Sequence, residues 1–175
     1  MKIAIRESFD ADVESIALIY AHSVATETAS WEYEAPSTEE FARRRLEVIA
    51  KGFPYLVAVN AGRVIGYAYG SSYRARIGYR FAVEDSVYVH RDFQGQGIGK
   101  QLLESLIKAC ERRGFRQMIA VIGDSENVGS ITLHERCGFQ KVGTFKSIGF
   151  KFGRWLDSVQ MARPLGAGNA SLPTE

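Results

Sequence analysis

The sequence has no apolar run near the roughly 18 residues that a bilayer-spanning helix needs, so no membrane is expected as a partner. It also has almost no net charge. Twenty-two basic against twenty acidic residues leave +2, which argues against nucleic acid or an anionic surface. Cysteine is scarce. Cys110 lies in a helical pattern and Cys137 beside a helix end, and two reduced, buried thiols are the reading, with a disulfide or a nucleophile as alternatives. Met1 to Arg6 lacks the long apolar region of a signal peptide, which together with the thiols points to the cytoplasm. Internal repeats and linkers are missing as well. The 175 residues therefore suit one domain over 1–165, and the small polar tail from Gly166 to Glu175 is expected to be disordered.

What the chain does have is periodicity. Lys2 to Arg6 alternates and predicts a short strand, and Val13, Ile16, Ala17, Tyr20 and Val24 keep a helical period. Ala25 to Ala35 breaks that period with Trp31 and Tyr33, a loop either folded onto the core or lining a pocket. Ser37 and Glu40, at capping-box spacing, start a second helix whose buried side falls to Phe41, Leu46, Val48 and Ile49. Tyr55–Val59 and Arg63–Tyr69 flank an Asn60-Ala61-Gly62 turn as a hairpin, and a polar stretch from Ser71 to Arg80 leads into a strand over Phe81–Val89. Leu102, Leu103, Leu106, Ile107 and Cys110 then mark an amphipathic helix closed by Gly114. Gln117–Ile122 is apolar from Met118 onward and suits a strand buried on both faces. A short helix over Ser130–Arg136 and two strands, Phe139–Phe150 and Trp155–Met161, complete the chain. The order β-α-α-β-β-β-α-β-α-β-β predicts an α/β (α+β) fold, a mixed sheet with helices on its faces.

Gly95, Gly97 and Gly99 stand between the strand that ends at Val89 and the most amphipathic helix. A strand giving way to a helix through glycines leaves backbone N–H groups free beside the positive end of the helix dipole, a site for phosphate. A mononucleotide loop would need Lys-Ser or Lys-Thr after its last glycine, but Lys100 is followed by Gln101. A dinucleotide fingerprint needs other spacings. The run Gln94-Gly95-Gln96-Gly97-Ile98-Gly99 resembles the pyrophosphate loop of the GNAT superfamily of N-acetyltransferases, and Asn127, Ser130 and His134 to Phe139 resemble its later motif. Tyr79–Val89, Ala120–Gly123, Leu133–Glu135 and Gly149–Asp157 are more narrowly similar to phosphinothricin N-acetyltransferases, a group that includes enzymes acting on methionine sulfoximine and methionine sulfone. Arg74 departs from the lysine of the herbicide-resistance members, and Glu27 and Glu32 depart around Trp31.

The resemblance implies a mostly antiparallel central sheet in which the parallel strands Phe81–Val89 and Gln117–Ile122 splay apart around acetyl-CoA. No metal is implied. The backbone of Val87, Tyr88 and Val89 would pair with the pantetheine arm, with Asn127 and Ser130 holding it from the other side. Gln94, Gly95 and the N–H groups of Gln96, Gly97, Ile98, Gly99 and Lys100 would hold the pyrophosphate, unless these glycines merely make a tight turn. The reaction implied is attack of a neutral amine on the thioester, with coenzyme A leaving as a thiolate and a backbone N–H near Val87 or Tyr88 stabilising the oxyanion. Glu84, half-buried among Phe81, Val83 and Tyr88, is the candidate base, or else an ion-pair partner of Arg76 or Arg80. His134 is either a second base or structural. Arg74 and Arg76 would grip an anionic head bidentately, or be solvated. Trp31 and Tyr33 would wall the pocket or simply pack, and Tyr79, Asp85 and Ser86 complete the acceptor side. The donor of a proton to the thiolate is one of eight tyrosines and stays open. A homodimer is also implied. Other amines as acceptors, and a non-catalytic acyl-CoA sensor, are the competing functions.

Overall fold

The computed structural model describes residues 2–173. Seven strands, β1 (Ile3–Glu7), β2 (Tyr55–Asn60), β3 (Arg63–Ser72), β4 (Ala82–Val89), β5 (Gln117–Gly123), β6 (Gln140–Lys151) and β7 (Arg154–Pro164), form one sheet. Their spatial order is β1-β2-β3-β4-β5-β7-β6, and β4–β5 is the parallel pair in an otherwise antiparallel sheet. Four helices cover it: α1 (Val13–Thr26), α2 (Thr38–Ala50), α3 (Ile98–Arg112) and α4 (Val128–Arg136). The expected element order is the observed one.

Strand alternation divides the core in two. Leu56, Ala58, Ala68 and Val83 point to the face covered by Leu102, Leu103, Leu106 and Cys110 of α3. Tyr55, Val57 and Tyr67 point to the opposite face, under Ile16, Tyr20 and Val24 of α1 and Phe41 of α2. Both cysteines are buried free thiols, and burial pushes the Cys110 thiol up to about 12, which removes it as a nucleophile at neutral pH. The tight turns of the β2–β3 and β6–β7 hairpins place Ala61-Gly62 and Phe152-Gly153 at positive φ, the backbone that two-residue hairpins require.

Three expectations are corrected. In α2, Leu46 and Ile49 are exposed, because Arg45 takes the inward position between Phe41 and Val48. Its guanidinium donates to the Ser8 hydroxyl, the Ser8 carbonyl and Asp10, so a buried cation staples α2 to the end of β1. In β5, Met118, Ala120 and Ile122 are buried, whereas the alternating Ile119 and Val121 are half-buried on the face that looks away from α3. In β4, Val83 faces α3 and so lies across the strand from Glu84 rather than beside it. Beyond β7, Leu165 is buried, and Arg116 donates to the Gly168 and Leu172 carbonyls and the Ser171 hydroxyl. The last tail residues, Thr174 and Glu175, lie outside the described residues, as does Met1.

Candidate active site

The site begins where two parallel strands part. β4 and β5 pair only through Ala82↔Gln117, Val83↔Met118 and Glu84↔Ile119. From Asp85 to Val89, β4 remains bonded to β3 on one edge, and its other edge faces open space. That wedge is a cavity of about 290 Å³, lined by β4 from Glu84 to Tyr88, β5 from Ala120 to Gly123, Asn127, Ser130 and His134 around α4, and Tyr20 with Ala29–Glu32 from the α1 side. An unpaired strand edge presents N–H and C=O groups in a row, ready to accept an extended amide-bearing chain as an added strand.

At the end of β4, a single 3-10 turn (Arg91–Phe93) leads into the glycine loop. Gly95 and Gly97 have φ of +73° and +79°, with open space where a Cβ would sit. Their need for glycine is therefore conformational. Gly99 has ordinary φ, and a Cβ there would meet Leu133 of α4 at 3.3 Å, so its role is close helix packing. Gly97 caps α3 without any side-chain bond, and the first intrahelical acceptor is its carbonyl, bonded by Gln101. The N–H groups of Ile98, Gly99 and Lys100 thus have no intrahelical acceptor. Gln94 donates to the Val89 carbonyl and to Glu27, and Gln96 to the Asp92 carbonyl, so both side chains brace the loop. Asn127 caps α4 by accepting from the Ser130 N–H at 3.2 Å. These features fit a pyrophosphate at the helix start and a pantetheine arm along the wedge.

Glu84 lies on the last paired position of β4, half-buried on the same face as Ser86 and Tyr88. Burial, aided by the neighbouring charge of Asp85, pushes its carboxyl up to about 7. Neither influence is a cation, so the ion pair with Arg76 or Arg80 is not what sets its state. Asp85 points the other way and meets His134, Oδ2 to Nε2 at 3.0 Å, with both side chains almost wholly buried. The His134 Nδ1 is 2.7 Å from the Ser130 carbonyl, which only an N–H can satisfy, so Nε2 is left to share a proton with Asp85. Burial disfavours the imidazolium, but the Asp85 hydrogen bond and charge outweigh it and raise the His134 pKa. Both ring nitrogens are thus occupied within the protein. The second Asp85 oxygen is sealed in without a hydrogen-bond partner.

Trp31 lines the cavity, as do Glu84, Asp85, Ser86, Val87 and Tyr88. Arg74, Arg76 and Tyr79 do not. They lie in the exposed segment between β3 and β4, with the Arg74 guanidinium over the Tyr73 and Tyr79 rings at 5.2 and 6.0 Å. Tyr33 is exposed and donates to the Phe150 carbonyl. Sequence reasoning missed Tyr20, Ser30 and Glu32 as cavity residues. Tyr20 reads as one more core position of α1, but burial raises its pKa to about 12 and its hydroxyl bonds Ser30 at 2.8 Å. Glu32 is held by Arg44 at 2.7 Å. Among the described residues, no group of three or more His, Cys, Asp or Glu side chains could hold a metal ion.

Residues 5–160 match the acetyltransferase (GNAT) domain. The phosphinothricin N-acetyltransferase of Alcaligenes faecalis is 51% identical over 164 residues, covering 94% of this chain and 83% of that protein. An L-methionine sulfoximine/L-methionine sulfone acetyltransferase of Pseudomonas paraeruginosa is 42% identical over 161 residues, covering 90% of this chain and 91% of that protein. Among solved structures, a GNAT superfamily phosphinothricin acetyltransferase from Sinorhizobium meliloti in complex with acetyl-CoA superposes with a TM-score of 0.97 at 48% identity, over 100% of this chain and 95% of that one. With its parted β4–β5 pair and a glycine-started α3 that no side chain caps, the chain belongs to the GNAT family of N-acetyltransferases.

Proposed function

We propose that this enzyme transfers the acetyl group of acetyl-CoA to the amino group of a small amino-acid analogue of the phosphinothricin, methionine sulfoximine or methionine sulfone type. The observation that carries the mechanism is Glu84. Its carboxyl, raised to about 7, sits where β4 leaves β5 and opens onto the cavity. A base whose pKa lies near neutrality is half-ionised at working pH and still proton-hungry enough to deprotonate an ammonium. Bound acetyl-CoA supplies the electrophile, a thioester carbonyl. Glu84 takes a proton from the acceptor ammonium, directly or through water, and the neutral amine then attacks. The free edge of β4 at Val87–Val89 orients the donor arm, the N–H groups of Gln96–Lys100 hold its pyrophosphate, and Asn127 with Ser130 borders it from α4. Tyr20 and Tyr88 are the tyrosines lining the cavity among the described residues, and both keep their protons at neutral pH, as a proton donor to the departing thiolate must. His134, with both nitrogens occupied, positions Asp85 and α4 rather than serving as a second base.

One observation favours a second acceptor class. Glu32 and Glu84 line the cavity, whereas Arg74 and Arg76 do not, so a polyamine would meet carboxylates there. A thiol-release assay with acetyl-CoA decides between them. Turnover of phosphinothricin, methionine sulfoximine or methionine sulfone above spermidine is expected, and activity confined to spermidine would reject the amino-acid analogue. We also propose a homodimer, supported by the apolar side chains exposed along β6 and β7, among them Phe145, Ile148, Phe150 and Trp155.

A further inference from the structure

The tip of the β6–β7 hairpin, Gly149 to Trp155, has no part in the reaction as described. Lys151 in this stretch is 2% exposed. A lysine is buried that deeply only where its ammonium is hydrogen-bonded. Both of its hydrogen-bond partners are in one loop, Nζ donating to the Glu27 carbonyl at 3.0 Å and the Ser30 carbonyl at 2.7 Å, while the Phe152 ring lies 4.7 Å from the ammonium. The charges of Glu27 and Glu32 favour the ammonium, although burial pulls its pKa below the ordinary lysine value.

The same loop is held elsewhere as well, by Gln94 at Glu27, Tyr88 at the Ala29 carbonyl and Arg44 at Glu32, and at the three points that follow. The Trp31 ring lies so close on Gly149 that a Cβ there would come within 1.9 Å of it. The Thr28 hydroxyl donates to the Gly123 carbonyl at 2.9 Å, and a Cβ on Gly123 would meet the Thr28 carbonyl oxygen at 2.0 Å. Tyr20 bonds Ser30 from α1. This segment has no regular structure of its own, so its inward carbonyls need donors from elsewhere. Without Lys151, the Glu27 and Ser30 carbonyls would lose the ammonium that both accept from, and Ala29–Glu32 would be held less firmly against the cavity.

We propose that Lys151 is a positioning residue for the acceptor pocket. By clamping the Glu27 and Ser30 carbonyls it fixes Ala29–Glu32 as the pocket wall, and it acts on the acceptor rather than on acetyl-CoA. This rests on reading the cavity beside Glu84 as the acceptor site.

The test uses the full chain with Lys151→Met, which keeps an unbranched side chain one atom shorter and removes the donors. The acceptor KM should rise about tenfold or more, while the acetyl-CoA Kd by calorimetry stays within about threefold. Trp31 gives a second readout in a Trp155→Phe background, since the chain has two tryptophans. Its emission should shift to the red when the ring leaves Gly149. An unchanged acceptor KM in a folded variant overturns the proposal, and so does a parallel loss of donor and acceptor affinity. Should Lys151→Met fail to fold, Lys151→Leu replaces it under the same criteria, and Lys151→Arg, which keeps donors, should hold the acceptor KM closer to the wild-type value. If the wild type acetylates no acceptor, the functional reading fails on its own account. Trp31 emission then still decides the clamp, for or against.

Discussion

At the scale of single residues, two titratable sites in one wedge are treated in opposite ways. Glu84 has burial and a like charge, so its proton is held until about pH 7. In the unfolded chain the same carboxyl ionises near 4.5. The folded state therefore binds more protons between those values, and its contribution to stability is lost as pH rises from about 4.5 to about 7 and is level above. Activity runs the other way under the proposed mechanism, in which the ionised form is the base: kcat/KM should climb through about pH 7. Glu84→Gln should lower kcat by about 100-fold, flatten that limb and remove the acid-side gain in Tm. A loss below about threefold would reject Glu84 as the base. His134, in contrast, is tied to Asp85 in an almost dry site. His134→Ala would strand that carboxylate, at a cost of about 3–5 kcal/mol. Thermal melts should fall by roughly 10 °C for a chain of this size, and a fall under about 2 °C would say the pair is not coupled.

At the scale of elements, the start of α3 joins two uses of glycine that sequence spacing alone cannot separate. Gly97 needs positive φ, and Gly99 needs room beside Leu133. Gly97→Ala forces an L-residue into the left-handed region, at about 1–2 kcal/mol, and tilts the first N–H groups of the helix. It should lower stability by that amount in denaturant titration and weaken acetyl-CoA binding in calorimetry. Gly99→Ala meets only the end of a leucine side chain and should cost less in both. Equal losses at the two positions would contradict the distinction.

At the scale of the molecule, the sheet has one weak seam and one exposed flank. The seam is the parting of β4 from β5 after three pairs, and it makes the cavity. The flank is β6–β7, where Phe145, Ile148, Phe150, Phe152 and Trp155 remain exposed in the single chain. Isolated apolar residues on a surface are ordinary, whereas a run of large ones along one hairpin marks a contact face. Light scattering should give twice the 19.5 kDa chain mass, and Trp155→Glu should move that toward the single chain. A wild-type mass of one chain would remove the dimer.

The order of strands and helices, the amphipathic α3, the hairpin turns and the glycine loop were all legible in the residues. Each depends on contacts within a few positions: a period of 2 or 3.6, or a φ that glycine accepts without strain. Glu84 could be picked out because its place on the strand that leads into the glycine loop is itself a local feature. What tertiary structure decided is where distant segments meet. Leu46 and Ile49 suit a buried helix face as well as Val48 does, and only the Ser8 and Asp10 acceptors turned Arg45 inward instead. Asp85 found His134 from 49 positions away, and Lys151 found a loop more than 120 positions earlier. No local pattern marks such pairs, because a buried charge is selected by the partner the fold brings to it. The sequence by itself marked the start of α3 as a site suited to a phosphate-bearing donor; the folded packing of β5, α4 and the α1–α2 loop around the β4 edge decided the shape of the pocket that Glu84 faces.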